Sequence, residues 1–195
     1  MRRLILAVAA ATSLATTTPA LAQDVGLRSF PKLDLSGFSG DPTALPKAVA
    51  DIESSSGGRV LELRYNNVDG VPGYDVVVAK GQQVQFLRLG RPAAGLVEIS
   101  EKAVPPWMLD RQSQRNAKLG ETAKVALADA IRTAEGNKGG APAVAAGIAR
   151  SAANPTSDVH AYNISILSKD GIQRRVAVDS QTGLVIADPS ALSAW

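Results

Sequence analysis

The stretch "VAVDSQTGLVIAD", Val176 to Asp188, sets an Asp-x-x-Thr-Gly turn between two short apolar runs. Val176, Val178, Leu184 and Ile186 alternate with their neighbours, the period of half-buried strands on either side of a turn. Asp179 opens the loop, where a carboxylate accepts hydrogen bonds from backbone N–H groups two or three residues on. Gly183 supplies positive φ, which lets the second strand run back in register. Asp179, Thr182 and Gly183 therefore read as a structural hairpin turn. One carboxylate and one hydroxyl are too few ligands for a cation.

Working outward, the chain contains this unit twice. Setting Tyr162 on Tyr74, an offset of 88 (162 − 74), places Ile164 on Val76, Ile166 on Val78 and Ile172 on Val84. Gly183, Leu184 and Val185 then fall on Gly95, Leu96 and Val97. Self-similarity at a fixed offset is the mark of duplication. In the first copy a helix is expected from Thr43, which can cap it, with Leu45, Val49 and Ile52 at helical spacing and Gly57-Gly58 ending it. "RVLELRY", "YDVVVAK", "QVQFLRL" and "LVEIS" follow as β-rich runs separated by turns. In the second, a helix is expected from about Glu121 to Glu135, then the strands "AVAAGIA", "HAYNISIL", "QRRVAV" and "LVIA". Upstream of the tyrosines the second copy is longer by six residues (Gly140 to Tyr162 is 22 positions, Gly58 to Tyr74 is 16), supplied by "SAANPTSD", which reads as a surface loop.

The fold class is therefore α+β, with two repeats of one helix packed on an antiparallel β-meander. The expected organisation is a signal peptide over 1–22, an extended arm over 23–42 and a first repeat over 43–100. A Pro/Trp-containing linker over 101–119, a second repeat over 120–188 and a tail over 189–195 complete it. Leu27, Phe30, Leu33, Leu35 and Phe38 allow the arm to lie along the body.

A helix ending in Gly-Gly, a "Tyr-x-Val-x-Val" strand and a hairpin closing in "VDxxTGxV" resemble the PepSY domain. In the second copy the pieces are Gly139-Gly140, "YNISIL" and "AVDSQTGLVIA"; in the first they are Gly57-Gly58, "YDVVVAK" and "LGRPAAGLVEI". The first copy departs from the turn, with Arg91 and Ala94 where the second has Asp179 and Thr182, and keeps Gly95. The resemblance implies no catalytic residues and a binding role, since such units occur in propeptides of secreted metallopeptidases and as stand-alone envelope proteins. The architecture is also similar to cystatins and β-lactamase-inhibitor proteins, an analogy of fold.

The 195 residues are 45% hydrophobic and 20% charged, ordinary globular values, with aromatics at only 4%. "MRRLILAVAAATSLATTTPALAQ" carries Arg2 and Arg3, an apolar run and Ala20-Leu21-Ala22, the three regions of a secretory signal with cleavage between Ala22 and Gln23. The alternative, an uncleaved anchor, meets an apolar run short of the ~20 residues that span a bilayer. Removing the signal takes two of 21 basic residues and leaves 19 against 18 acidic, a net charge of +1. No basic run interleaved with aromatics is left for nucleic acid. With no cysteine there is no disulfide. The expected location is the periplasm, or the exterior, without stable membrane insertion.

The catalytic inventory is thin. His160 is the one imidazole, so neither a His-based zinc site nor a recognisable nucleophile elbow can be assembled. "GNKGG" lacks the context of a phosphate loop, and Asp51/Glu53 and Asp24/Asp34 read as solvated pairs. No catalytic residue, cofactor or metal is expected. Tyr162, Ile164 and Ile166 should face a helix, with Asn163 and Ser165 on a wet face beside Gln173 and Arg175. Gln173 and Arg175 are one candidate partner surface; a plain solvated face is the alternative. Trp107 and Met108 are the other, being residue types that anchor interfaces, against the alternative that Trp107 packs between the repeats. The expected function is a non-catalytic binding module for an envelope protein, a peptidase among the candidates. A carrier with a pocket between the repeats is the alternative.

Overall fold

The computed structural model describes residues 34–68, 70–90, 97–150 and 160–186. The signal and its Ala22/Gln23 junction, Arg91 to Gly95, the "SAANPTSD" insertion and the tail over 189–195 lie outside the described residues.

Among the described residues three helices and eight strands follow one another as α1 (Ala44–Ser56), β1 (Arg59–Val68), β2 (Val71–Lys80), β3 (Gln83–Gly90), β4 (Val97–Val104), α2 (Arg111–Thr122), α3 (Leu127–Asn137), β5 (Ala143–Arg150), β6 (His160–Leu167), β7 (Gln173–Asp179) and β8 (Val185–Ile186). All eight strands join one antiparallel sheet in the order β4-β3-β2-β1-β5-β6-β7-β8. Each half is thus a helix followed by a four-stranded meander, and the two meanders meet at β1 and β5. The meeting is short, pairing Glu62 with Gly147, Leu63 with Ala146 and Arg64 with Ala145.

Helices α1 and α3 pack on each other and cover one face of the sheet. They do so because their apolar residues recur on one side: Leu45, Ala48, Val49 and Ile52 in α1, and Leu127, Ala130, Ile131 and Ala134 in α3, are all buried. These positions correspond at an offset of 82 (127 − 45). Gly57 and Gly139 follow the two helices at the same offset, with φ of 63° and 66°. A glutamate near each helix end ties it to the next strand. Glu53 Oε1 accepts from Val60 N at 3.0 Å, and Glu135 Oε1 from Ala143 N at 2.9 Å. Beneath lie Leu63, Tyr65, Tyr74, Val76, Tyr162, Ile164, Val176 and Val178 in a single core drawn from both halves.

The third helix lies on the other face. α2 contacts the central strands β1 and β5, whose opposite face α1 and α3 already occupy. It buries Ser113, Asn116, Leu119 and Gly120 along one side, and the α carbon of Gly120 approaches the Leu61 side chain so closely that a methyl group there would collide with it. The expected linker over 101–119 is therefore corrected: β4 continues through Val104, a 3₁₀ turn spans Pro106–Met108, and α2 begins at Arg111. Asp110 starts the helix, its carboxylate accepting from Ser113 N at 2.8 Å and from Ser113 Oγ at 2.9 Å. The helix expected from Glu121 begins instead at Leu127, because residues 123–126 cross the end of the sheet, where Lys124 N and Val125 N both donate to Ser180 O.

Two smaller expectations are corrected. Thr43 has helical φ/ψ and makes no capping bond; Asp41 takes up its N–H and hydroxyl instead. The gapless offset of 88 fails beyond β6, because the β6–β7 connection is longer than the two-residue β2–β3 turn. Ile172 falls in that connection and is 56% exposed, while Val84 is buried in β3. By register Leu87, opposite Val76, corresponds to Val176, opposite Ile164, an offset of 89 (176 − 87). In the arm, Leu35 and Phe38 pack on the core, and Tyr65 donates to Ser36 O at 2.9 Å.

Ile131 is fully buried between helix and sheet. Ile131→Ala is expected to lower unfolding free energy by about 2–5 kcal/mol in urea titration, through lost burial and the cavity left behind.

Candidate functional site

Trp107 and Met108 are 75% and 63% exposed, the largest exposed apolar pair adjacent in sequence among the described residues. Their exposure is imposed by the backbone around them. Pro105 and Pro106 restrict the chain after β4, and Met108 N donates to Pro105 O at 3.0 Å to close the turn. Leu109, next in sequence, is 5% exposed and sits in the core. Gln114 Nε2 donates to Leu109 O at 2.8 Å, and the Asp110 cap follows at once. The turn is thus pinned on its C-terminal side with its two large side chains outward. Packing of Trp107 between the two halves, the alternative reading, is overturned.

Gln173 and Arg175 both stand exposed on β7 and share a face, opposite Leu167 and Ser165 of β6. Arg174 between them turns away to Asp170 and Ser168. The structure does not unite these residues with Trp107. β4 and β7 are six strand steps apart, roughly 29 Å at the usual spacing of strands. The expected wet face is also corrected: Asn163 is 2% exposed, since α2 covers the middle of the sheet on that side.

A polar cluster lies around Glu62 and Asp75. Asp75, 1% exposed, is fully engaged, accepting from Asn66 Nδ2 at 2.7 Å and Arg88 Nε at 2.9 Å. Glu62, 2% exposed, is not: neither carboxylate oxygen accepts a hydrogen bond among the described residues, and its ion pair with Arg64 spans 3.6 Å. Burial pushes the Glu62 carboxyl up to about 8, Arg64 pulling it down and Asp75 adding to the rise. Glu135 is likewise raised to about 7 by burial, against the bond from Ala143 N, and its place at the α3–β5 junction gives it a structural task. Glu53, expected on a solvated face, performs the matching task at the α1–β1 junction.

Chemistry is otherwise sparse. His160 is half-buried at the start of β6, and its backbone oxygen accepts from Ser180 N at 2.8 Å. Among the described residues no three His, Asp or Glu side chains are grouped to hold a metal. No described helix is long and apolar enough to cross a membrane. The hairpin turn is built as expected: Asp179 Oδ1 accepts from Gln181 N and Thr182 N, both at 2.8 Å, and Gly183 has φ 75°. Leu184, expected to be half-buried, is 69% exposed, and Val185 and Ile186 carry the packing instead. Gly95, the other turn residue, lies outside the described residues.

No protein-family model matches the chain, and no curated protein does. Among solved structures, it is similar to a provisionally assigned lipoprotein of Clostridium difficile 630, at 16% identity over 73% of this chain and 89% of that one, with a TM-score of 0.42.

Asp179→Ala is expected to cost about 1–3 kcal/mol of stability, because two backbone donors lose a charged acceptor. Thr182→Ala should cost less than half as much, since its hydroxyl accepts only a long 3.4 Å bond from Leu184 N. Thermal unfolding of the two variants side by side checks the order.

Proposed function

We propose that this chain is an exported, non-catalytic binding module of PepSY type, built from a duplicated helix-plus-meander unit, that grips an envelope protein through Trp107 and Met108. The observation that carries the reading is the outward pair itself, 75% and 63% exposed on a turn braced by buried Leu109. An aromatic held rigid in advance loses little entropy on docking, which is why Trp is so often the anchor of an interface. The duplication is supported by the matching helix stripes, the paired glycines of positive φ and the two glutamates that cap the following strands. The PepSY resemblance implies a peptidase as the partner class.

A carrier with its pocket between the two halves has less support. The seam is filled by Leu61, Leu63, Ala146 and the buried side of α2.

Envelope extract passed over the immobilised chain tests the reading. Trp107→Ala should lower recovery of the retained partner by about tenfold or more while the melting temperature stays within about a degree of wild type. Equal recovery by the two proteins contradicts it.

A further inference from the structure

We infer that α2 is a pH-controlled strap: ionisation of Glu62 loosens the helix from the central strands of the sheet. The inference is independent of whether Trp107 docks a partner. Two neighbouring buried acids are held differently. Asp75 has Asn66 and Arg88 as donors, whereas Glu62, in the row formed by Val77, Glu62, Gly147 and Asn163, has an ion pair at 3.6 Å and no hydrogen bond among the described residues. An ionised carboxylate so placed loses its water without gaining donors, a cost that lifting the cover removes.

The cover is α2, and its apolar grip is slight. Its buried side offers Leu119 with Ser113, Asn116 and Gly120, little apolar area for a twelve-residue helix. Its two ends, by contrast, are fastened. Leu109 is in the core before it; after it Lys124 N and Val125 N bond Ser180 O, while Arg59 and Tyr162 both donate to Val125 O. The middle of the helix can therefore lift while its ends hold.

The charges around Glu62 are few. β1 supplies Arg64, β2 supplies Asp75, and β3 supplies Arg88, already committed to Asp75. β5 presents Ala145 and Gly147 and β6 presents Asn163, all uncharged. Arg111, Arg115, Lys118 and Glu121 of α2 face solvent.

While α2 is down, Glu62 keeps its proton to about pH 8; lifted, it returns toward 4.5. Between those values the docked state holds the extra proton, so docking is strongest in acid, weakens as pH rises through the window, and levels off above it.

Hydrogen exchange of the full chain, corrected for the intrinsic effect of pH, reads this directly. Between about pH 5 and 8, protection of α2 amides should fall by up to about tenfold per pH unit and then flatten, with α2 less protected than α1 and α3 throughout. Glu62→Gln should abolish the slope. Leu119→Ala should lower α2 protection at every pH and keep the slope, which supplies a second reading if the Gln variant does not fold. A flat profile in the wild type, an unchanged slope in Glu62→Gln, or α2 protected as strongly as α1 and α3 at every pH overturns the inference.

Discussion

The pairing of β1 with β5 is the constraint on which the rest of the molecule depends. Three residue pairs, Glu62–Gly147, Leu63–Ala146 and Arg64–Ala145, convert two four-stranded meanders into one sheet. Once that seam exists, α1 and α3 must lie side by side above it, because each leads directly into one strand of the seam and both bury their stripes on the same face. Size is complementary across the seam, with large residues on β1 and Ala or Gly on β5. That leaves room for Leu63 in the core above and for α2 to come close beneath. Few backbone bonds hold the joint, so most of its strength must come from the helix pair above, where Leu45, Val49, Leu127 and Ile131 are almost wholly excluded from water.

The same seam explains both unusual features of the surface. Glu62 is buried because it sits at the one place where α2 crosses the sheet, not because anything in its own strand demands it. Trp107 and Met108 are exposed because the chain must leave β4 at one edge and reach the centre of the opposite face, and the 3₁₀ turn makes that change of direction. Burying both side chains there would require the turn to rotate, which Leu109 in the core and the Asp110 cap oppose.

Much of this was legible in the sequence. The helix stripes at 3.6-residue spacing and the alternation of Tyr162, Ile164 and Ile166 identify α1, α3 and the strands, because each pattern reports a face packed on one large core. The Asp179–Gly183 turn was legible because its bonds are local. What escaped was set by distance in the chain. In α2 the buried side mixes Ser113 and Asn116 with Leu119, so too few apolar residues mark the stripe; Asp110 three residues before Ser113 was the cap signal that could have found it. Glu62 in "RVLELRY" looks like an ordinary outward residue, since its cover arrives some fifty residues later. The shift from 88 to 89 beyond β6 was hidden because a longer turn can absorb a residue without altering the apolar pattern around it.

Equilibrium unfolding in urea, with pulsed hydrogen exchange reporting β2–β3 and β6–β7 separately, tests the seam most directly. If the two meanders share one sheet and one core, both regions lose protection at the same midpoint, as a single cooperative unit must. Two separate midpoints would mean that each half folds alone and that the β1–β5 joint is incidental, contradicting the account.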